Sequence, residues 1–198
     1  MKLTLIRHGL TEGNIRRLYY GAMDLPLLPD GIEALHALRD GGGYPEAEQY
    51  FTSGMTRTEQ TFAALYGDRP HGTLPGMQEM RFGEFEGKTY ADLKDDPAFR
   101  AWCSGDYENN VCPGGESWNS LTDRALQALA PILAQGKDTV IVAHGGTQMA
   151  ALSRFAEPHR NYYSWNAPPA GGFVLSADEW RARRALRVIK TVGYAEER

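Results

Sequence analysis

The sequence of 198 residues contains little cysteine and no long apolar run. Its two cysteines, Cys103 and Cys112, are too few for a disulfide-dense scaffold, and neither lies in a CxxC pair or beside a histidine at metal-ligand spacing. The apolar run at residues 3–6 is too short for a secretory signal, and the uncharged residues 161–177 are interrupted by two prolines and two adjacent glycines. We therefore expect two reduced thiols, no membrane partner and a cytoplasmic location.

Positive charge is also not in excess. Lys and Arg number 21 against 25 Asp and Glu, so the formal net charge is −4 and there is no general electrostatic footprint for nucleic acid. An arginine cluster at residues 181–187 is the one local exception, and its alternation with Leu186 and Val188 is typical of the solvated face of an edge strand. The composition predicts no nucleic-acid partner, and it leaves open whether the chain is a monomer or a homodimer.

What the sequence does contain is an alternation of strand and helix patterns. Apolar runs predict strands at residues 2–6, 49–53, 139–143, 173–175 and 186–192, and amphipathic segments predict helices between them. This alternation predicts a single α/β domain over residues 1–198, a three-layer α/β/α sandwich with a mainly parallel central sheet. The polar residues 88–113 are expected to form a small cap-like insertion, helical over residues 92–102.

Charged and nucleophilic side chains follow three of these predicted strands. Arg7 and His8 come after the first strand, Arg57 begins the helix after the second, and His144 follows the most apolar strand. Residues just past the carboxyl ends of parallel strands meet in one crevice of an open sheet. Two guanidinium groups suit a phosphate dianion, and a neutral imidazole can take up and release a phosphoryl group. The pattern therefore predicts a phosphoryl-transfer site.

Five blocks in a fixed order then resemble the histidine phosphatase superfamily, which includes phosphoglycerate mutases and α-ribazole phosphatases. The blocks are residues 5–14 (LIRHGLTEGN), 52–61 (TSGMTRTEQT), 79–87 (EMRFGEFEG), 114–117 (GGES) and 142–146 (VAHGG). The resemblance spans residues 5–146 and is closest to the phosphatase branch.

This resemblance implies a role for each matching side chain. It makes His8 the phosphorylated nucleophile, with no metal and no cofactor, and Glu79 the general acid and base. The implied phosphate ligands are Arg7, Asn14, Arg57, His144 and the Gly145 amide. His144 is expected to act as an imidazolium that neutralises charge in the transition state.

Several positions depart from the family pattern or compete with these assignments. Family members commonly carry Glu and an aromatic residue where this chain has Leu10 and Gly13, and we expect this change to alter access or substrate fit without removing catalysis. Glu84 and Glu86 are rival carboxylates to Glu79, and we expect them to be structural charges.

The resemblance implies a phosphomonoester hydrolase that acts on a small phosphorylated metabolite. A mutase-type phosphotransferase is the first alternative, and an inactive phosphate-binding interaction protein is the second. The acidic insertion is expected to repel a second phosphate group, which favours hydrolysis and a neutral, cationic or aromatic leaving group. Four aromatic side chains are candidate contacts for that group: Tyr19, Tyr20, Trp102 and Tyr107.

Overall fold

The computed structural model describes residues 1–106 and 108–194, so Tyr107 lies outside the described residues. The strands in this part of the chain are β1 (Lys2–Arg7), β2 (Leu18–Tyr19), β3 (Gln49–Thr52), β4 (Gly72–Thr73), β5 (Lys88–Thr89), β6 (Thr139–Ala143), β7 (Ala156–Glu157), β8 (Gly172–Ser176) and β9 (Leu186–Val192). The helices are α1 (Glu12–Arg16), α2 (Pro29–Asp40), α3 (Thr56–Tyr66), α4 (Tyr90–Leu93), α5 (Pro97–Trp102), α6 (Trp118–Gln135), α7 (Gly145–Phe155) and α8 (Trp180–Arg183). Short 3-10 turns occupy Pro75–Met77, Gly83–Phe85 and Tyr162–Trp165.

Seven strands form one sheet in the order β4-β3-β6-β1-β8-β9-β7. The pairs β4-β3, β3-β6, β6-β1 and β9-β7 are parallel, whereas β8 is antiparallel to both of its neighbours. Every residue of β6 is buried, as expected of a central strand that is covered on both faces. The predicted mainly parallel sheet is confirmed.

Side chains alternate across β6 into two separate cores. Ile141 and Ala143 belong to a cluster under α6 and α7, whereas Val140 and Val142 belong to a cluster under α2 and α3. These two cores give the three layers that the sequence predicts. Because successive strand residues point to opposite faces, one apolar strand supplies both layers.

Helix α6 shows how the sequence determines these elements. Ser117 accepts a hydrogen bond from the Ser120 amide in a capping box, and Gly136 ends the helix in the left-handed conformation with φ of 74°. The apolar stripe predicted for this helix is buried. It consists of Leu121, Ala125, Leu129 and Ile132.

The segment predicted as an insertion is built differently from the expected single helix. Strand β5 pairs with β2 in a separate two-stranded sheet, and the predicted helical stretch is divided into α4 and α5. Pro97 explains the division, since the residue before a proline avoids helical backbone angles and Asp96 instead caps α5. Phe99 and Trp102 pack with Leu121 and Ala150, so the segment shares a core with the layers below it.

The arginine cluster near the carboxyl end does not lie on an edge strand, and that expectation was wrong. Arg181 and Arg183 lie on α8, and Arg184 ends this helix with a positive φ of 56°. Only Arg187 lies on β9, and there it pairs with Glu157 of β7, so this arginine is not at the edge of the sheet. The alternation of Leu186 and Val188 correctly predicted a strand, but this strand begins at Leu186 and does not include the arginines before it.

Candidate active site

The four predicted groups at the carboxyl ends of the strands meet at one edge of the sheet. Arg7, the last residue of β1, pairs in register with Ala143 of β6, and the amide of His8 donates to the Ala143 carbonyl at 3.0 Å. The ring centroids of His8 and His144 are 5.2 Å apart. The parallel register of β1 and β6 therefore brings both histidines into one pocket.

His8 is held as a neutral imidazole with one defined tautomer. Its side chain is buried, with 2% of the residue exposed, and Nδ1 donates to the Gly9 carbonyl at 2.7 Å. Burial lowers the pKa of His8 well below its usual 6.5, and the charges of Arg57 and Arg7 lower it further. With its hydrogen on Nδ1, the ring carries its lone pair on Nε2, the atom that a nucleophile requires.

His144 is also neutral in the unliganded pocket, which differs from the imidazolium form expected of it in the transition state. Its Nδ1 accepts a hydrogen bond from Nε of Arg57 at 3.2 Å, and its Nε2 contacts the Ser53 hydroxyl at 2.8 Å. Burial lowers the pKa of His144 well below 6.5, and Arg57 and His8 lower it further. A ring that accepts at Nδ1 has one proton only, which it donates to Ser53.

Arg57 is fully buried and already makes three hydrogen bonds. Besides His144, it donates to the Met23 carbonyl at 2.8 Å and to the Gly21 carbonyl at 3.0 Å. The Tyr20 ring lies over its guanidinium group, with 5.1 Å between Cζ and the ring centroid. Of the five N–H groups of an arginine, two remain for an anion.

Arg7 leaves a buried donor without an acceptor. Its Nη1 donates to the Ala167 carbonyl at 2.7 Å and to Oδ1 of Asn166 at 3.2 Å. Its Nε has no hydrogen-bond partner within residues 1–106 and 108–194. A Cβ on Gly145 would lie 3.3 Å from this nitrogen, so Arg7 packs against the first turn of α7, where helical N–H groups have no partner within the helix.

Glu79 is the carboxylate that reaches this helix terminus. Its Oε2 accepts from the Gly146 amide at 3.0 Å and its Oε1 accepts from the Met80 amide at 2.9 Å. Arg124 holds the backbone of Glu79 in place, because it donates to the Glu79 carbonyl at 3.0 Å. The rival Glu86 instead accepts hydrogen bonds from backbone amides of residues 21–23 and 82, and Glu84 lies exposed.

Asn14 lies in the first turn after the His8 segment, on α1. Its Oδ1 accepts from the amide and from the hydroxyl of Thr11, each at 3.0 Å. These bonds turn the NH2 end of the amide away from Thr11, and Nδ2 has no acceptor among the residues that the structure describes. The Asn14 side chain therefore presents a donor to a ligand.

The sequence model of the histidine phosphatase superfamily (branch 1) matches residues 3–188. The chain belongs to this superfamily. It is 30% identical over 163 residues to the adenosylcobalamin/alpha-ribazole phosphatase of Escherichia coli, covering 78% of each chain. It is 29% identical over 168 residues to a 2,3-bisphosphoglycerate-dependent phosphoglycerate mutase of Xanthobacter autotrophicus, covering 76% of this chain and 78% of the mutase.

Solved structures give the same fold. The alpha-ribazole phosphatase of Shigella flexneri superposes with a TM-score of 0.81 at 24% identity, over 98% of this chain and 96% of the other. The protein TTHB049 of Thermus thermophilus superposes with a TM-score of 0.76 at 26% identity, over 98% and 100% of the two chains. The predicted fold and family are confirmed, and this histidine phosphatase is a phosphate-monoester hydrolase of small phosphorylated molecules.

One residue of the histidine phosphatase pocket, Ser53, was not assigned from the sequence, and another, Tyr20, was expected to make a different contact. Ser53 lies in the block that carries Arg57 and fixes the tautomer of His144. Tyr20 was expected to touch the leaving group, yet it is 92% buried and contacts Thr11 and Arg57. The adjacent Tyr19 and the more distant Trp102 do line an open cleft. No sequence pattern separates the two tyrosines, because β2 is only two residues long and Tyr20 follows its end.

The rest of the described chain has three further features. No helix within it is long and apolar enough to cross a membrane. Among the same residues, no three His, Cys, Asp or Glu side chains lie close enough together to hold a metal ion. Cys103 and Cys112 are both free thiols, the first exposed and the second buried.

Proposed function

We propose that a phosphate monoester binds between Arg7, Arg57 and the first turn of α7, and that Nε2 of His8 attacks its phosphorus atom. The neutral His8 ring, with its hydrogen donated to Gly9, is the observation that carries this proposal. The unpaired Nε of Arg7 and the Nδ2 of Asn14 supply donors for phosphate oxygens, together with the Gly145 amide.

The proposed reaction has two steps that share one intermediate. In the first, the His8 Nε2–phosphorus bond forms, the phosphorus–oxygen ester bond breaks, and Glu79 gives a proton to the departing oxygen. In the second, Glu79 takes a proton from water, the water oxygen attacks phosphorus, and the phosphorus–nitrogen bond breaks. Inorganic phosphate leaves, and neutral His8 is regenerated. The two guanidinium groups stabilise the charge that the phosphoryl group carries in both steps.

His144 has a different part in this proposal from the one expected of it. As a neutral ring it accepts from Nε of Arg57 and donates to Ser53, so it fixes the plane of the guanidinium group. A guanidinium in a fixed plane presents its remaining N–H groups to phosphate with little loss of side-chain entropy.

We further propose that the leaving group is neutral and aromatic. A cleft of about 430 Å³ is lined by Tyr19, Phe82, Trp102, Cys103, Trp118 and Tyr163. The cleft adjoins the general acid Glu79 along the chain, because Phe82 follows Glu79 by three residues. It also lies near Glu79 in space, because Tyr162, the neighbour of Tyr163, donates to the carbonyl of Gly146, whose amide donates to Glu79. The names of the relatives make alpha-ribazole phosphate the first natural substrate to assay.

Hydrolysis of an aryl phosphate in EDTA at pH 6–7 tests the central step, with His8→Ala as the variant and the exposed His36→Ala as its control. We expect turnover that vanadate inhibits, that His36→Ala keeps and that His8→Ala abolishes, with acid-labile phosphohistidine trapped on His8. Turnover that survives in His8→Ala would remove this residue from the mechanism. Glu79→Gln is expected to slow alkyl phosphates more than nitrophenyl phosphate, whose leaving group needs no proton.

The aromatic cleft is tested by Tyr163→Ala, with Tyr90→Ala as a control of equal exposure, 63% in each case. Loss of an aromatic contact worth about 0.5–1.5 kcal/mol predicts a fall of about 2-fold to 13-fold in kcat/KM for 1-naphthyl phosphate in Tyr163→Ala alone. Glycerol phosphate should be unaffected. An equal loss on both substrates would place the cleft outside substrate recognition.

The mutase alternative makes a distinct prediction. Given 3-phosphoglycerate and its bisphosphate, a mutase isomerises, whereas the proposed enzyme releases inorganic phosphate. Hydrolysis is favoured by the acidic insertion, whose Asp92, Asp95, Asp96, Asp106 and Glu108 outnumber Lys88, Lys94 and Arg100. The cytoplasmic location is part of the proposal too, supported by two free thiols, and cell fractionation tests it.

A further inference from the structure

Tyr20 stands at the centre of the pocket without a role in the reaction described so far. It is 8% exposed, its ring centroid is 6.4 Å from that of His8, and the guanidinium of Arg57 lies 5.1 Å from the same ring. Its hydroxyl is 2.8 Å from the Thr11 hydroxyl, which is itself fully buried. The Tyr20 ring thus lies beside His8 and Arg57, and its hydroxyl contacts the Thr11 side chain.

The hydrogen bonds around Thr11 can be satisfied in one direction only. The Thr11 hydroxyl donates to Oδ1 of Asn14 at 3.0 Å, so its single hydrogen is used. The Tyr20 hydroxyl must then be the donor to Thr11. Burial raises the pKa of this phenol above its usual 10, which keeps the hydrogen in place at neutral pH. The chain of donors runs from Tyr20 to Thr11 to the Asn14 carbonyl oxygen.

We propose that Tyr20 is a positioning residue for phosphate binding, which acts through Thr11 to hold the Asn14 amide with its NH2 group toward the phosphate. The inference rests on the proposed function, because it presumes that Asn14 contacts phosphate. Without the tyrosine hydroxyl, the Thr11 hydroxyl loses the donor that orients and polarises it, which weakens one of the two bonds that fix the orientation of the Asn14 amide.

Gly13 is the second half of this arrangement. A Cβ at Gly13 would lie 2.7 Å from the Tyr20 ring, closer than real contacts allow, so only glycine leaves room for the ring in this position. The departure from the family pattern at Gly13 and the presence of Tyr20 are therefore one structural feature. Gly13→Ala should displace the ring and separate its hydroxyl from Thr11.

The test is Tyr20→Phe, measured by vanadate titration and by the separate effects on KM and kcat for an aryl phosphate. Tyr66→Phe is the matched control, since Tyr66 is also 8% exposed and donates one hydrogen bond, to the Pro45 carbonyl, from the last turn of α3. Loss of one hydrogen bond predicts vanadate binding weakened about 3-fold to 10-fold in Tyr20→Phe, with KM raised and kcat changed less.

A double-mutant cycle separates action through Asn14 from a general loss of structure. In an Asn14→Ala background, Tyr20→Phe should change vanadate affinity by less than about 1.5-fold. Should Tyr20→Phe fail to fold, Gly13→Ala takes its place in the same cycle. Three results would overturn this inference and leave the proposed phosphate site intact. They are effects of Tyr20→Phe and Asn14→Ala on vanadate affinity that add fully, no effect of Tyr20→Phe on vanadate affinity, and an equal effect of Tyr66→Phe. A wild-type protein that binds no vanadate instead overturns the proposed phosphate site, and the inference with it.

Discussion

The two buried histidines predict a specific loss of stability in mild acid. In the native state their pKa values lie well below 6.5, whereas in the unfolded chain each imidazole titrates near 6.5. As the pH falls below 6.5, the unfolded chain binds protons that the native state does not, so the free energy of unfolding decreases. Stability from both groups is thus present above pH 6.5 and is lost as the pH falls.

The size of the effect follows from proton linkage. Between pH 7.0 and pH 5.5, a histidine that stays neutral in the native state and has a pKa of 6.5 when unfolded removes at most about 1.3 kcal/mol from the free energy of unfolding. His8 and His144 together remove at most about 2.5 kcal/mol on the same reasoning. This is a large fraction of the stability of a domain, about 5–15 kcal/mol.

Urea unfolding at pH 7.0 and 5.5, in buffers free of phosphate, measures this difference. In His8→Gln and in His144→Gln, the loss between the two pH values should shrink by up to about 1.3 kcal/mol relative to wild type, whatever the variant does to stability at pH 7.0. His36→Gln, on the exposed surface of α2, is the control and should keep the wild-type difference. An undiminished pH dependence in both variants would mean that the native pocket binds protons, and the neutral nucleophile would be refuted.

Three further changes test the supports of the site. Gly146→Ala places a Cβ against Oε1 of Glu79, so the carboxylate must move, and kcat in steady-state kinetics should fall at least about tenfold. Gly43→Ala is the control and should leave kcat unchanged, since no atom lies within 4 Å of its added Cβ. Glu86→Gln weakens hydrogen bonds to the loop of residues 21–23, whose carbonyl groups accept hydrogen bonds from Arg57. This variant should lower the urea concentration at the midpoint of unfolding and raise KM. Burial raises the pKa of Glu116, but hydrogen bonds from Arg124 and a backbone amide outweigh it, so the net pKa lies below 4.5. The stability that this carboxylate contributes is therefore present above pH 4.5 and is lost as the pH falls below that value. Glu116→Gln should make the free energy of unfolding in urea depend less on pH below 4.5.

The sheet and the location of the site could be predicted from the sequence because each depends on local pattern. The apolar run of β6 and the stripe along α6 are periodic over many residues, and residues at the carboxyl ends of parallel strands must meet. Strands of two residues, such as β2 and β5, carry no such period and were not predicted. Their pairing depends on contacts 70 residues apart, which no local pattern encodes.

The protonation state of His144 shows the same limit at the level of chemistry. His144 does lie beside Arg57, as the resemblance implied, and an imidazolium together with two guanidinium groups was the expectation from residue types. The structure adds the direction of one hydrogen bond, from Nε of Arg57 to Nδ1 of His144, and this direction decides the charge. Tautomers depend on atoms several ångströms away in space, so a motif can identify the group but not its proton.

The exchange at Gly13 shows why departures from a motif are best interpreted in pairs. Taken alone, the loss of an aromatic side chain beside Asn14 suggests a damaged pocket. In the structure, the Tyr20 ring fills the space in front of Gly13, so an aromatic ring still lies against His8 and Arg57 although it comes from the residue after β2. What changes is the polar atom that the ring carries. A phenol hydroxyl now contacts Thr11 and supplies a hydrogen-bond donor at that position.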